Sequence, residues 1–334
     1  MAQSTIEWFG ATTFRLRTRG VTIFLDTWLD KPDVMTSHLA VDDPIAVLTY
    51  CNSAFRGADR IAIKTGAILI ANCEAINCLR DAGVPEEQLF PVQGGERIPL
   101  FTREIRDRAK DDASMRRPGF PGAPPMPADG LEALSVHVWP SLHCLMPQDH
   151  PETIDTATVY TGAASPYSCT LDITFGMKYG LLKIGEIMPA EKLTPGHHSF
   201  IRYVEDRKRN VFSHCDGGQL MFNFIMPTET GETKALLWSA HLGGYEAILK
   251  DMEPKPDIAI LGIAGRANFN GRPFDGSAAE FASRQVEWLG SPSQVIWCLH
   301  DETIDTTAAT SAVEKNGKSK VLDLKHAEVV QLGF

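Results

Sequence analysis

Three histidines stand where apolar runs end, and their types and spacing are what could do chemistry in this chain. His143 follows Val136-His137-Val138-Trp139-Pro140, His241 follows Ala235-Leu236-Leu237-Trp238-Ser239-Ala240, and His300 with Asp301 follows Val295-Ile296-Trp297-Cys298-Leu299. Asp26 closes a fourth run, Val21 to Leu25. In layered α/β folds such strand ends gather at one crevice. An imidazole beside a carboxylate moves protons near neutral pH, so Asp301 could orient a histidine or act as a base. Three imidazoles from separate strands could instead hold one metal ion, since a catalytic zinc takes three protein ligands and a water.

The stretch after Val47-Leu48 offers a different set. Thr49, Tyr50, Cys51, Asn52, Ser53, Ala54 and Phe55 supply hydroxyls, a thiol and aromatic rings, which suit an organic substrate pocket. Plainer readings stand beside these. His143 could cap the turn after Pro140. Cys51 could be a nucleophile beside a histidine, but small buried cysteines are more often inert. His197-His198 and His214-Cys215-Asp216 read as loops that could line a pocket and more often lie at the surface.

The elements that must position these residues are legible in outline. Ile6 to Phe9, Thr13 to Arg17 and Val21 to Asp26 read as strands joined by Gly10 and by an Arg19-Gly20 turn. Asp59 to Thr65 has helical spacing, Gly66 to Ala71 is a short buried strand, and Cys73 to Ala82 is a helix stopped by Gly83. Strand, helix, strand, helix, strand argues for an α/β arrangement. Arg106 to Gly130, with five prolines from Pro118 to Pro127, has no apolar period and reads as a loop or lid. Tyr179 to Ile184 and Gln219 to Ile225 alternate or run apolar. Further buried strands are expected at Ala235 to Ser239, Ile258 to Ile263 and Val295 to Cys298, with an amphipathic helix from Ser277 to Leu289.

The wording of the first third carries a resemblance. The opening strands ending in Asp26, the Ala71-Asn72 turn into a helix and the Gly94-Gly95-Glu96 turn resemble the metallo-β-lactamase fold, in particular the branch that includes ascorbate-6-phosphate lactonase. That resemblance implies a single domain, a four-layer αββα sandwich, with His143 at the place of a family metal ligand. It covers nearly the whole chain and is patchy between Asp107 and Gly218. The family's metal motif is absent. Where a His-x-His-x-Asp-His run is expected, the chain reads Thr49, Tyr50, Cys51, Asn52, Ser53, Ala54. Gly10-Ala11 stands for Gly-His, and Ser239-Ala240-His241 for Ser-Gly-Asp. At the last strand Leu299-His300-Asp301 stands where His-His-Asp or His-x-Asp is usual. A histidine cannot bridge two cations as a carboxylate does, so a dinuclear site of the family type is not expected.

Composition sets outer limits. A chain of 334 residues with 43% apolar residues can bury a sizeable core. A net charge of -10 argues against a nucleic-acid partner. No apolar run resembles a signal peptide or spans a bilayer, so no membrane partner is expected. Seven scattered cysteines without a CxxC pair suit a reducing, cytoplasmic setting. Nothing fixes the oligomeric state.

The expectation is therefore a divergent enzyme acting on a small organic molecule, with biosynthesis as its setting, without metal or other cofactor. Its acid–base chemistry would be cyclisation, isomerisation, elimination or lactone chemistry, carried by His143, His241, His300 and Asp301. Thr49, Tyr50, Cys51, Ser53 and Phe55 would shape the pocket. Two alternatives accompany it. One is a mononuclear hydrolase or lactonase with one zinc, manganese or iron ion on His143, His241 and His300. The other is a non-catalytic binding protein that keeps the fold.

Overall fold

The computed structural model describes residues 4–27, 46–48, 57–145, 176–193, 195–208, 211, 213–215, 217–228, 231–300 and 305–333. Its frame is two mixed sheets. In the first, strands β1 (Thr5–Trp8), β2 (Phe14–Thr18), β3 (Val21–Leu25), β4 (Ala46–Leu48), β5 (Ile68–Ala71) and β6 (Leu89–Pro91) lie side by side in chain order, with β17 (Val330–Gln331) outside β1. The second has the order β16 (Lys320–Leu322), β15 (Gln294–Cys298), β12 (Ile258–Gly262), β10 (Thr233–Ser239), β9 (Gln219–Pro227), β8 (Leu134–Ser141) and β7 (Arg97–Leu100).

Alternation along the strands explains the layers. In β10, Leu236 and Trp238 point between the sheets, while Leu237 points to the outer face. The inner cluster takes Ile6, Trp8, Phe14, Leu16 and Ile23 from the first sheet and Val136, Phe222, Phe224, Trp238 and Ile260 from the second. The stacked pair Phe222 and Trp238, with centroids 5.7 Å apart, lies within it. Outside the first sheet, helices α1 (Ala58–Thr65) and α2 (Cys73–Asp81) bury Ile61, Ala62, Ile76 and Leu79 against Phe24 and Leu69. Outside the second, the helices at Glu246–Asp251, Ala278–Trp288 and Thr307–Glu314 bury Leu249, Phe281, Val286 and Val313. The expected αββα sandwich is thus the observed architecture.

Local signals start the helices where the chain must turn. The Asn72 side chain accepts the Ala75 N–H at 2.9 Å, capping α2 directly after β5. Ser277 and Glu280 form a reciprocal capping box at the start of the helix Ala278–Trp288.

Two expectations are corrected. Residues 106–111 are not part of a loop: Arg103–Asp111 is a helix, capped by the Thr102 side chain. Its polar surface, with only Ala109 buried, hid the apolar period. The irregular segment is 116–130, closed by a bridge between Arg116 and Pro127, and it leaves Phe120 89% exposed. Tyr179 to Ile184 is no strand: turns of helix run through Gly176–Gly180, Leu181–Lys183 and Ile184–Ile187. A short apolar run has the same composition in either structure, and only its neighbours decide.

The outer face of the first sheet carries a buried ion pair between Arg15 and Glu7, and the partly exposed Arg17 also donates to the Glu7 carboxylate. The Arg15 guanidinium donates to both Glu7 carboxylate oxygens, at 2.5 and 2.6 Å, with both residues buried. Removing one partner strands a charge, whereas replacing both by apolar groups does not. Glu7→Ala is expected to destabilise the fold by about 3–5 kcal/mol. The double variant Glu7→Leu/Arg15→Met should recover most of that loss in urea unfolding; a double variant as unstable as the single one would contradict the reading.

Candidate metal centre

The parallel strands β10, β12 and β15 point the same way, and two antiparallel steps bring β8 into the same direction. His143, His241, the loop after Gly262, and His300 therefore all leave the second sheet at one end. In the first sheet β3, β4 and β5 are parallel and in register, so Asp26 and the chain after Leu48 leave at a common end. Main-chain bonds join the two ends: Ala11 N–H donates to His300 O at 3.0 Å, and Leu299 N–H to Ala11 O at 3.0 Å.

His143 and His241 meet, and the reason is strand length. β8 and β10 flank β9, so their ends should lie about 10 Å apart. But β9 begins at Gln219, opposite Ser141, and nothing of it extends between the two segments beyond. They converge over its end, until the two imidazole centroids are 3.8 Å apart. The Cys144 thiol joins them, with Sγ 3.4 Å from His241 Nδ1 and 3.6 Å from His143 Nδ1. One ligand atom from each of His143, Cys144 and His241 lies within 4.8 Å of the others. His143 and Cys144 are past the strand, so the alternation that would aim neighbours to opposite faces does not apply.

Glycine makes the convergence possible. A Cβ on Gly243 would lie 2.5 Å from Leu142 O, and one on Gly262 would lie 2.3 Å from Ala240 O and 2.8 Å from His241 Cα. A Cβ on Gly265 would lie 2.8 Å from Cys144 Sγ, at a backbone φ of +86°. The Gly265 loop is held there by paired main-chain bonds between Leu145 and Arg266, at 2.8 and 3.0 Å.

The ring chemistry is fixed by its surroundings. His143 Nδ1–H donates to the Cys144 carbonyl at 2.6 Å, which leaves the lone pair on Nε2. His241 is buried, and burial first, then the neighbouring His143, holds its pKa well below the ordinary 6.5. The His241 imidazole is thus set up neutral, the form that binds metal. A tetrahedral zinc with Zn–S near 2.3 Å and Zn–N near 2.0–2.1 Å separates S from N by about 3.5 Å. The Cys144–His241 separation of 3.4 Å matches that edge. A ligand histidine commonly donates its other ring N–H to a carbonyl, as His143 does. The donor set fits one metal ion.

The other expected residues fall elsewhere. His300 is not in the trio. β12 and its following loop stand between β10 and β15, and the His300 ring lies against Trp8, with centroids 4.9 Å apart. It lines a separate cavity of about 60 Å³ with Trp8, Trp297, Thr306 and Thr310. Asp26 is fully buried at φ +50°, accepts from Thr12 Oγ1, and with burial raises the pKa of the Cys298 thiol. Asp301, Asp216 and the whole set Thr49, Tyr50, Cys51, Ser53 and Phe55 lie outside the described residues. His197 and His198 sit on the helix Pro195–Glu205 rather than in a loop, and His214 is exposed. Cys144 is the residue that sequence reasoning missed; its one signal was a cysteine adjacent to a histidine just past a strand.

No family model and no curated protein matches the chain. Among solved structures it is similar to Igni18, described as a novel metallo hydrolase from the hyperthermophilic archaeon Ignicoccus hospitalis, at 16% identity and a TM-score of 0.51 over 100% of both chains. It is also similar to YhfI from Bacillus subtilis, a metallo-β-lactamase fold protein, at 6% identity and a TM-score of 0.47 over 99% of this chain and 100% of that one. CmlA from Streptomyces venezuelae, a diiron β-hydroxylase, shares 11% identity at a TM-score of 0.49, over 99% of this chain and 55% of CmlA. At such identities the likeness shows the fold alone, and the chain has the metallo-β-lactamase-like αββα fold. The expectation of a site without metal is corrected by the His143–Cys144–His241 trio, whose spacing and protonation suit an ion. Among the described residues the third member beside His143 and His241 is Cys144.

The buried neutral ring has a pH signature. The unfolded chain takes up a proton at His241 near pH 6.5 and the folded chain does not. Its contribution to stability is whole above that pH and falls by about 1.4 kcal/mol per unit below it. The His241 imidazole nitrogen shifts should remain those of a neutral ring at about pH 5.5; a midpoint at or above 6.5 would contradict the burial argument.

Proposed function

We propose that the chain is a mononuclear metal-dependent hydrolase acting on an ester or lactone bond of a small organic molecule. The observation that carries this is the His143–Cys144–His241 trio at the strand-end crevice. His143 through Nε2, Cys144 through Sγ and His241 through Nδ1 would hold the ion. Two imidazoles and one thiolate suit zinc, since manganese and magnesium favour oxygen donors. When bound with three protein ligands, zinc supplies polarisation of a carbonyl and a lowered pKa for a water in its open position.

The chain's own residues do the rest. Burial keeps His241 neutral, so its lone pair is available without proton loss. The Cys144 carbonyl holds the His143 tautomer. Cys144 would hold the ion as a thiolate, its proton lost to solvent. Thr49, Tyr50, Cys51, Ser53 and Phe55 follow a strand whose parallel neighbour ends at Leu25, just before Asp26, and we assign them to the substrate wall. Asp301 is assigned proton transfer to the leaving group. The description of Igni18 as a metallo hydrolase and the lactonase-like first third of the sequence support this choice of reaction. A small-molecule substrate also suits the acidic chain.

Elemental mass spectrometry of untagged protein should find about one equivalent of zinc per chain. Cobalt substitution should give a near-ultraviolet thiolate-to-metal charge-transfer band that Cys144→Ser removes. Cys144→Ser and His241→Ala should each abolish hydrolysis of a lactone and aryl-ester panel, and chelation should do so reversibly. Hydrolysis that survives full demetallation would overturn the reading.

A further inference from the structure

Asn268 is fully buried beside the trio and bonds to both segments that carry it. It opens the short strand Asn268–Phe269, which pairs in parallel with Gly243–Gly244. Its backbone N–H donates to Leu242 O at 3.1 Å, one residue after His241. Its side-chain Nδ2 donates to the carbonyl of His143 at 2.8 Å. One residue thus sets the spacing between the His143–Cys144 segment and the His241 turn. The peptide it grips joins His143 to Cys144, and the next carbonyl along, that of Cys144, holds the His143 ring.

The amide is kept at a cost. Asn268 Oδ1 is buried with no hydrogen-bond partner, which is unfavourable against a satisfied or apolar group. A leucine of similar shape would relieve the stranded Oδ1 while leaving the His143 carbonyl without its donor, so the two effects on stability oppose each other. What leucine cannot supply is the donor to His143 O. We infer that Asn268 is a positioning residue of the metal centre, holding His143 and Cys144 in ligand geometry against His241. The inference rests on the metal-binding reading above.

Asn223 provides an internal control. It is also fully buried, donates its Nδ2 to a carbonyl (that of Pro254, at 2.9 Å), and has a partnerless Oδ1. It lies mid-strand in β9, paired with His137 and Leu237, away from the trio. The two amides therefore match in burial and bonding and differ in what they hold.

The test compares Asn268→Leu, Asn268→Ala and Asn223→Leu with the unmodified chain. Zinc affinity is read by competition with a chromophoric chelator, the cobalt spectrum reports ligand geometry, and urea unfolding of the metal-free proteins reports stability. Asn268→Leu is expected to lose about 10–100-fold in zinc affinity and to alter the cobalt bands, as loss of a ligand-orienting group does. Its metal-free stability should stay close to that of the unmodified chain, and Asn223→Leu should bind zinc normally. If Asn268→Ala does not fold, the leucine variant still decides. Unchanged zinc affinity and cobalt spectrum in Asn268→Leu would overturn the inference alone. An unmodified chain that binds neither metal would remove the metal reading and this inference together.

Discussion

The contact between the two sheets is the constraint on which the rest of the structure depends. Aromatic and aliphatic side chains from both inner faces, among them Trp8, Phe14, Phe222, Phe224 and Trp238, are removed from water there. Each such side chain is worth roughly 1.5–3 kcal/mol of burial, and no single polar contact at the strand ends approaches their sum. That apolar layer fixes the relative position of the strands. The ends of the strands, where polar residues stand, have no choice but to share an edge. The exchange of main-chain bonds between Ala11 and the Leu299–His300 segment then fastens the two sheets together at that edge.

Strain and close approach collect at the same edge. Ala11, Asp26 and Leu299 all have left-handed backbone angles, at φ of 48°, 50° and 62°, although none is glycine. Such residues cost about 1 kcal/mol or more each and persist only where surrounding structure holds them. Here the sheet contact does the holding. Across the edge Gly243, Gly262 and Gly265 let backbone and thiol approach more closely than any Cβ would allow. The trio is thus a product of packing elsewhere: its three side chains have no apolar reason to be together.

This separates what could be read in the sequence from what could not. Buried strands such as Ile258–Gly262 announce themselves as unbroken apolar runs, and the helix Ala278–Trp288 by its spacing and its capping residues. His143 and His241 were legible as polar residues just past such runs. Their meeting was not, because it depends on β9 starting level with the end of β8. The exclusion of His300 follows from strand order, with β12 between β10 and β15, and order across a sheet is a long-range fact that local spacing does not record. Cys144 was hidden for a chemical reason. A buried cysteine looks like a small apolar residue until its neighbours are known, and its neighbours come from residue 241, far along the chain. Asn268 gave no sequence signal, since its role is a hydrogen bond to a main-chain carbonyl.

Charge argues for a single ion at this place. Among the described residues the donors are two imidazoles, which bring no charge as metal ligands, and one thiol, which contributes one negative charge when ionised. One dication with one thiolate leaves a net charge of one, comparable to a catalytic zinc site with a single anionic ligand. Two dications would leave a net charge of three in a setting where His241 and Cys144 are almost wholly removed from water, and no carboxylate of the trio could bridge them. The position where the resembled family places a bridging carboxylate is held by His241, whose burial already drives off its own proton. A site that will not tolerate one imidazolium charge can accept a metal ion only with an anion bound directly to it. Cys144, whose Sγ lies beside a ring nitrogen of each histidine in the room that Gly265 leaves, is the group in the trio that meets that condition.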